Sequence, residues 1–174
     1  MSVANVDAEF LDARQGLLRG DFSRLEPLFD VAADAADTPR IIAWHEKGLF
    51  GDDSATVAEA LTCASFLGKT HVMEYLLSQG VDPAGGAATG LNAFHWAANR
   101  GQLEAVRLLI GAEAPLETRN SYGGTVLSGT VWAAFHEPRS THLQIIEELL
   151  EAGARVEAVE YPTGNERIDA LLRP

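Results

Sequence analysis

The feature that most constrains this chain is an internal period of 33 residues. Moving Val57–Leu77 forward by 33 places lays it on Gly90–Ile110, where Ala60 meets Ala93, Ala64 meets Ala97, Gly68 meets Gly101 and Leu76 meets Leu109. Like replaces like at Leu61/Phe94, Ser65/Ala98, Met73/Val106 and Leu77/Ile110. A second step carries Gly90, Asn92 and Phe94 onto Gly123, Thr125 and Leu127. A period of this length means a row of small units, none of which can bury its apolar face without a neighbour.

Beyond the third unit the offset becomes 40, with Leu109, Ile110, Ala114 and Glu117 falling on Leu149, Leu150, Ala154 and Glu157. Pro138 and the small polar residues Ser140 and Thr141 place this insert in a loop near 136–142. Backwards, Gly20–Phe29 mirrors Gly101–Ile110, but Gly20 and Gly68 are 48 residues apart. The excess holds Thr38–Gly48, where Thr as N-cap, Pro at the first helical position and Gly at the end predict a short inserted helix. Thr163-Gly164 and Ile168 echo Thr89-Gly90 and Phe94, while bulky Leu171 and Leu172 stand in for Ala97 and Ala98, as a terminal cap would have it. The single domain thus divides into a degenerate repeat at about 7–35, a helical insert at about 36–52, repeats at about 53–86, 87–119 and 120–159, and a C-terminal cap at about 160–174.

Within a unit, apolar residues recur at three and four places, as in Phe94-Ala97-Ala98 and Leu103-Val106-Leu109-Ile110, which is the pattern of two short helices. Neither is long enough to stand alone, so stacking must hold them. The run Gly90-Leu91-Asn92-Ala93-Phe94-His95-Trp96-Ala97-Ala98 resembles the ankyrin repeat, whose mark is Thr-Pro-Leu-His-x-Ala. Ala93 replaces the usual proline, Thr62 and Ser128 occupy the histidine position of His95, and Glu113 sits where a glycine normally closes the second helix. The resemblance runs from about residue 7 to the C-terminus and implies an all-α ankyrin-repeat solenoid of about four repeats plus a cap. It gives His95 the task of bonding backbone groups of neighbouring turns.

The resemblance also implies a partner protein bound at the hairpin tips and on the concave face of the first helices. Carried through the register, the helix ends give Phe66, Asn99 and Trp132 beside Leu67, Arg100 and Ala133. The tips give Thr56, Thr89 and Tyr122 beside Ala58, Leu91 and Gly124. The partner-binding candidates are Phe66, Leu67, Thr89, Leu91, Asn99, Arg100, Tyr122 and Trp132, a set with the aromatic and arginine character of interface hot spots. Against them stands internal cover: the inserted helix, through Ile41, Ile42, Trp44 and Phe50, could lie over Phe66 and Leu67, and the 136–142 insert could shield Trp132. Helical phase puts Trp96 in the core with Cys63.

Composition narrows the partner. A 47% hydrophobic, 22% charged chain is an ordinary globular one. With 13 Lys and Arg against 25 Asp and Glu the net charge is −12, which disfavours nucleic acid and anionic membrane and favours a basic protein or peptide. No apolar run approaches the roughly 18–20 residues of a membrane span. One cysteine, Cys63, permits no internal disulfide, and the N-terminal residues lack the marks of a secretory signal, so a cytoplasmic location is expected. His136-Glu137 lacks the second histidine of a zinc-protease helix, and the glycines at 80, 85, 86 and 90 lack the Lys-Ser/Thr ending of a phosphate loop. No cofactor or metal is expected. The leading expectation is a non-catalytic protein-binding module. Three others stand beside it: a small-molecule or hydrolytic enzyme in the groove near His95 and Trp132, an inhibitor or immunity-type partner of a basic protein, and a self-associating module.

Overall fold

The computed structural model describes residues 3–17, 19–31 and 38–173. Among these run α1 (Val3–Leu17), α2 (Glu26–Phe29), α3 (Arg40–Glu46), α4 (Ser54–Leu67), α5 (Thr70–Ser78), α6 (Ala93–Asn99), α7 (Leu103–Gly111), α8 (Val126–His136), α9 (His142–Glu151) and α10 (Glu166–Leu172), with a 3-10 turn at Val156–Ala158 and no strand. Three pairs, α4/α5, α6/α7 and α8/α9, stack side by side. The first helices α4, α6 and α8 touch in one layer, and the second helices α5, α7 and α9 touch in another.

The repeat register explains this stack residue by residue. Ala60, Ala64, Ala93, Ala97 and Ala98 are all at most 1% exposed, and their small side chains let neighbouring first helices approach closely. Leu76, Leu109 and Leu149, successive members of one column, are fully buried in the second layer. Gly68 and Gly101 close α4 and α6 with φ of +68° and +71°, the left-handed turn that a glycine adopts without steric cost.

Side chains then tie each corner to the one before. Gln102 Nε2 donates to the Phe66 carbonyl at 3.3 Å. His142, the residue 40 positions on, bonds the Asn99 carbonyl through Nε2 at 3.1 Å, and Thr141 Oγ1 donates to the Gly101 carbonyl at 2.7 Å. Lys69, one period before Gln102, pairs instead with Asp30. The residue opening each second helix thus clamps the preceding unit, by three different chemistries.

The N-terminal part departs from the expected pattern in three places. The helix sought within Gly20–Phe29 begins only at Glu26, because Pro27 is accommodated in a helix only in its first turn. Pro39 is itself the N-cap of α3, with ψ of 147°, rather than its first helical residue. Residues 32–37, where the first unit was expected to give way to the insert, lie outside the described residues. α3 packs on α2 and α5, with His45 Nδ1 2.9 Å from the Tyr75 hydroxyl. Phe50 is buried edge-on between Phe10 of α1 and Trp44 of α3. Arg14 of α1 reaches the buried Glu59 of α4 at 3.5 Å. No helix of the described residues is long and apolar enough to cross a membrane.

Glu113 is the one described residue other than glycine with positive φ, +54°. It stands in register with Gly80 and Gly153, whose φ values are +79° and +97°. The backbone at the end of α7 therefore takes the conformation of its neighbours although the residue suits it poorly. An L side chain in this region costs about 1–2 kcal/mol, partly offset by the greater freedom of glycine in the unfolded chain. Glu113→Gly is expected to stabilise the protein by about 1 kcal/mol, read as a higher urea midpoint at unchanged slope.

Candidate partner-binding surface

The hairpin before α8 is built by Asn120. Its Oδ1 accepts from the backbone N–H of Tyr122 at 2.9 Å and of Gly124 at 3.0 Å, while its own N–H donates to the Gly124 carbonyl. Ser121 N–H donates to the Gly90 carbonyl, fastening this hairpin to the one before α6. A side-chain-locked turn of this kind presents its tip residue rigidly. That residue is Tyr122, 84% exposed.

Exposure along the helix-end column rises from unit to unit. Phe66 is buried, its ring against Phe22 at 5.1 Å and Trp96 at 5.0 Å, with the Arg100 guanidinium 4.7 Å from its centroid. The inserted helix α3 packs chiefly on α2 and α5, and the aromatic ring set on Phe66 from the N-terminal side is Phe22, from the turn before α2. Asn99 and Arg100 are half-buried, and Arg100 forms no ion pair among the described residues. Trp132 is 55% exposed. Of the 136–142 insert, His136 at the end of α8 stacks on one ring face at 4.2 Å and 12°, a cover that still leaves Trp132 more than half exposed.

Other candidates move. Leu91 is buried and Leu67 half-buried against the core, so neither presents an open side chain. Thr89 is half-buried, its hydroxyl accepting from Trp96 Nε1 at 2.8 Å. Trp96 is accordingly half-buried beside Phe66, not sealed in the core with Cys63. Thr56 is no hairpin tip but lies in the first turn of α4, because Asp53 caps that helix through Ala55 and Thr56 and starts it early. Cys63 is buried, and burial drives its thiol pKa well above the usual range.

Sequence reasoning missed a groove beside Trp132. Among the described residues, α10 packs chiefly on α9, so α8 has no full first-helix neighbour on its far side. A cavity of about 670 Å³ opens there between α8 and residues 158–163, walled by Trp132, Phe135, His136, Val159, Glu160 and Tyr161. Phe135 and Tyr161 are 43% and 53% exposed. The signal for Phe135 was present, since it follows Trp132 by three places on one helix face.

The enzyme alternative requires a closed pocket with convergent polar groups around His95, near Trp132. His95 is 1% exposed, with Nδ1 2.7 Å from Asn92 Oδ1 and Nε2 3.3 Å from the Gly124 carbonyl. It is a structural tie from the start of α6 to the next hairpin. Ser128, the hydroxyl nearest in kind to a nucleophile on α8, is engaged with the Thr125 carbonyl at 3.2 Å. It is eight residues from His136, roughly 12 Å along a helix. Among the described residues no group of three or more His, Cys, Asp or Glu could hold a metal.

Residues 61–160 match the family model described as ankyrin repeats (3 copies), and the chain belongs to the ankyrin-repeat family. No curated protein matches the chain. Ankyrin repeats are generally protein–protein interaction modules, and the family is typically non-catalytic.

The two buried histidines make stability pH-dependent. Burial holds both His95 and His142 below their ordinary value of 6.5, outweighing neighbouring carbonyls that pull the other way. His142 Nδ1 accepts the Arg139 N–H at 3.2 Å while Nε2 faces the Asn99 carbonyl, an arrangement for the neutral ring. The unfolded chain takes up these protons first, so stability is full above about pH 7 and falls as pH drops below about 6.5. His142→Gln, which places the Gln102 chemistry at this corner, should flatten that fall between pH 7 and 5 in urea titrations, with His95 accounting for the remaining slope.

Proposed function

We propose that the protein is a non-catalytic binding module that holds a basic partner protein on the first-helix side of the stack, through Tyr122, Trp132, Arg100, Asn99 and Thr89. The observation that carries this reading is the exposure of two large aromatic side chains, Tyr122 and Trp132, on elements rigidly fixed by the fold. Large exposed aromatics on a rigid support supply contact area at small entropic cost. The second-helix side looks different: Arg107 is already spent on Glu104 and Glu148, bonding the latter at 2.6 Å. Arg100, stacked on Phe66 and in no ion pair among the described residues, has guanidinium donors for a partner's carbonyl or carboxylate. The net charge of −12 draws a basic partner to the protein as a whole. Phe66 and Leu91 act as the buried floor beneath the contact residues. A reducing compartment such as the cytoplasm suits the single buried thiol.

The test is affinity capture from native cell extract, comparing wild type with a Tyr122→Ala, Trp132→Ala, Arg100→Ala triple variant whose helicity is checked by circular dichroism. One protein retained by wild type and lost by the folded variant is the expected result, each truncation weakening binding by about 1–2 kcal/mol. Equal retention by both forms would move the interface elsewhere, and retention by neither would count against the binding-module reading.

A further inference from the structure

Three of the large apolar side chains left most exposed, Trp132, Phe135 and Tyr161, share one groove at the C-terminal end of the stack. Exposed aromatics gathered in one place, rather than scattered, mark a binding surface. Among the described residues the only charged side chain in its walls is Glu160, and no Lys or Arg lines it. His136 covers one face of Trp132, and the indole is still 55% exposed where it walls the groove. Aromatic faces with a carboxylate beside them, in a protein of net charge −12, form an electrostatic trap for a cation. The same charge opposes a second copy of this chain as the occupant.

We propose that this groove takes an arginine side chain from an extended basic segment of the partner, its guanidinium stacking on Trp132 and Tyr161 and pairing with Glu160. The proposal rests on the protein-binding reading above and adds to it the residue type recognised. Arginine suits the site better than lysine, because its planar, weakly hydrated guanidinium stacks on aromatic faces while its fork of donors meets a carboxylate. The walls Val159 and Pro162 offer the aliphatic stem of the arginine an apolar bed.

The probe is a blocked hexapeptide of alternating arginine and glycine, titrated against the intact chain while the indole N–H signals are followed by NMR. A matched peptide with citrulline for arginine keeps the shape and removes the charge. The expected result is a saturable shift centred on Trp132, at least tenfold weaker with the citrulline peptide. Glu160→Gln and Trp132→Ala should each lower affinity about fivefold, a size expected of one cation–aromatic or charge contact. Both residues are exposed, so neither change threatens the fold, and Glu151→Gln on α9 should leave binding unaltered. Equal binding of the citrulline peptide, or equal losses at Glu151 and Glu160, overturns the proposal by reducing it to diffuse attraction. Self-association that disappears in Trp132→Ala also overturns it. If the peptide fails here while the Tyr122, Trp132, Arg100 variant still loses a captured protein, the groove claim falls and the broader reading stands.

Discussion

Close approach of small residues in the first-helix layer is the constraint on which everything else depends. Ala64, Ala97 and Ala98 allow α4, α6 and α8 to lie against one another, and only then can Leu76, Leu109 and Leu149 close a second layer behind them. None of these helices exceeds 15 residues, and helices of that length are marginal alone in water. Stability therefore belongs to the interfaces between units rather than to any unit. The corner clamps at Lys69, Gln102 and His142 reinforce the same interfaces at their polar edge.

That architecture explains where binding capacity is left over. Inside the stack Phe66 is covered by the next unit, through Trp96 and Arg100. At the last full unit the covering helix is displaced onto α9, and Trp132, Phe135 and Tyr161 stay open. Exposure along this column is thus greatest where α10 packs on α9 and not beside α8. Tyr122 is exposed for a different reason, being the tip of a turn that Asn120 locks from within.

Much of the fold was legible in the sequence because repetition makes each residue a prediction about its counterparts. The 33- and 40-residue offsets matched the buried alanines and leucines, the left-handed glycines, and even Glu113 at a glycine position. Register failed where local chemistry overrode it. Asp53 starts α4 early and carries Thr56 into a helix, and Pro27 delays α2. The site was less legible than the fold. Tyr122 and Trp132 follow from register, but whether Phe66 is covered depends on Phe22, which no periodicity connects to it. The groove needs residues 158–163, where the repeat pattern dissolves and nothing in the sequence aligns Tyr161 with Trp132.

Hydrogen–deuterium exchange of the free protein tests the central claim, that stacking from both sides holds each unit. The account predicts the slowest amides in α4 and α6, which have first-helix or capping neighbours on both flanks, with faster exchange in α1 and α10 at the ends. Exchange in α6 as fast as in α10 would contradict it, since the central unit would then draw no protection from its neighbours.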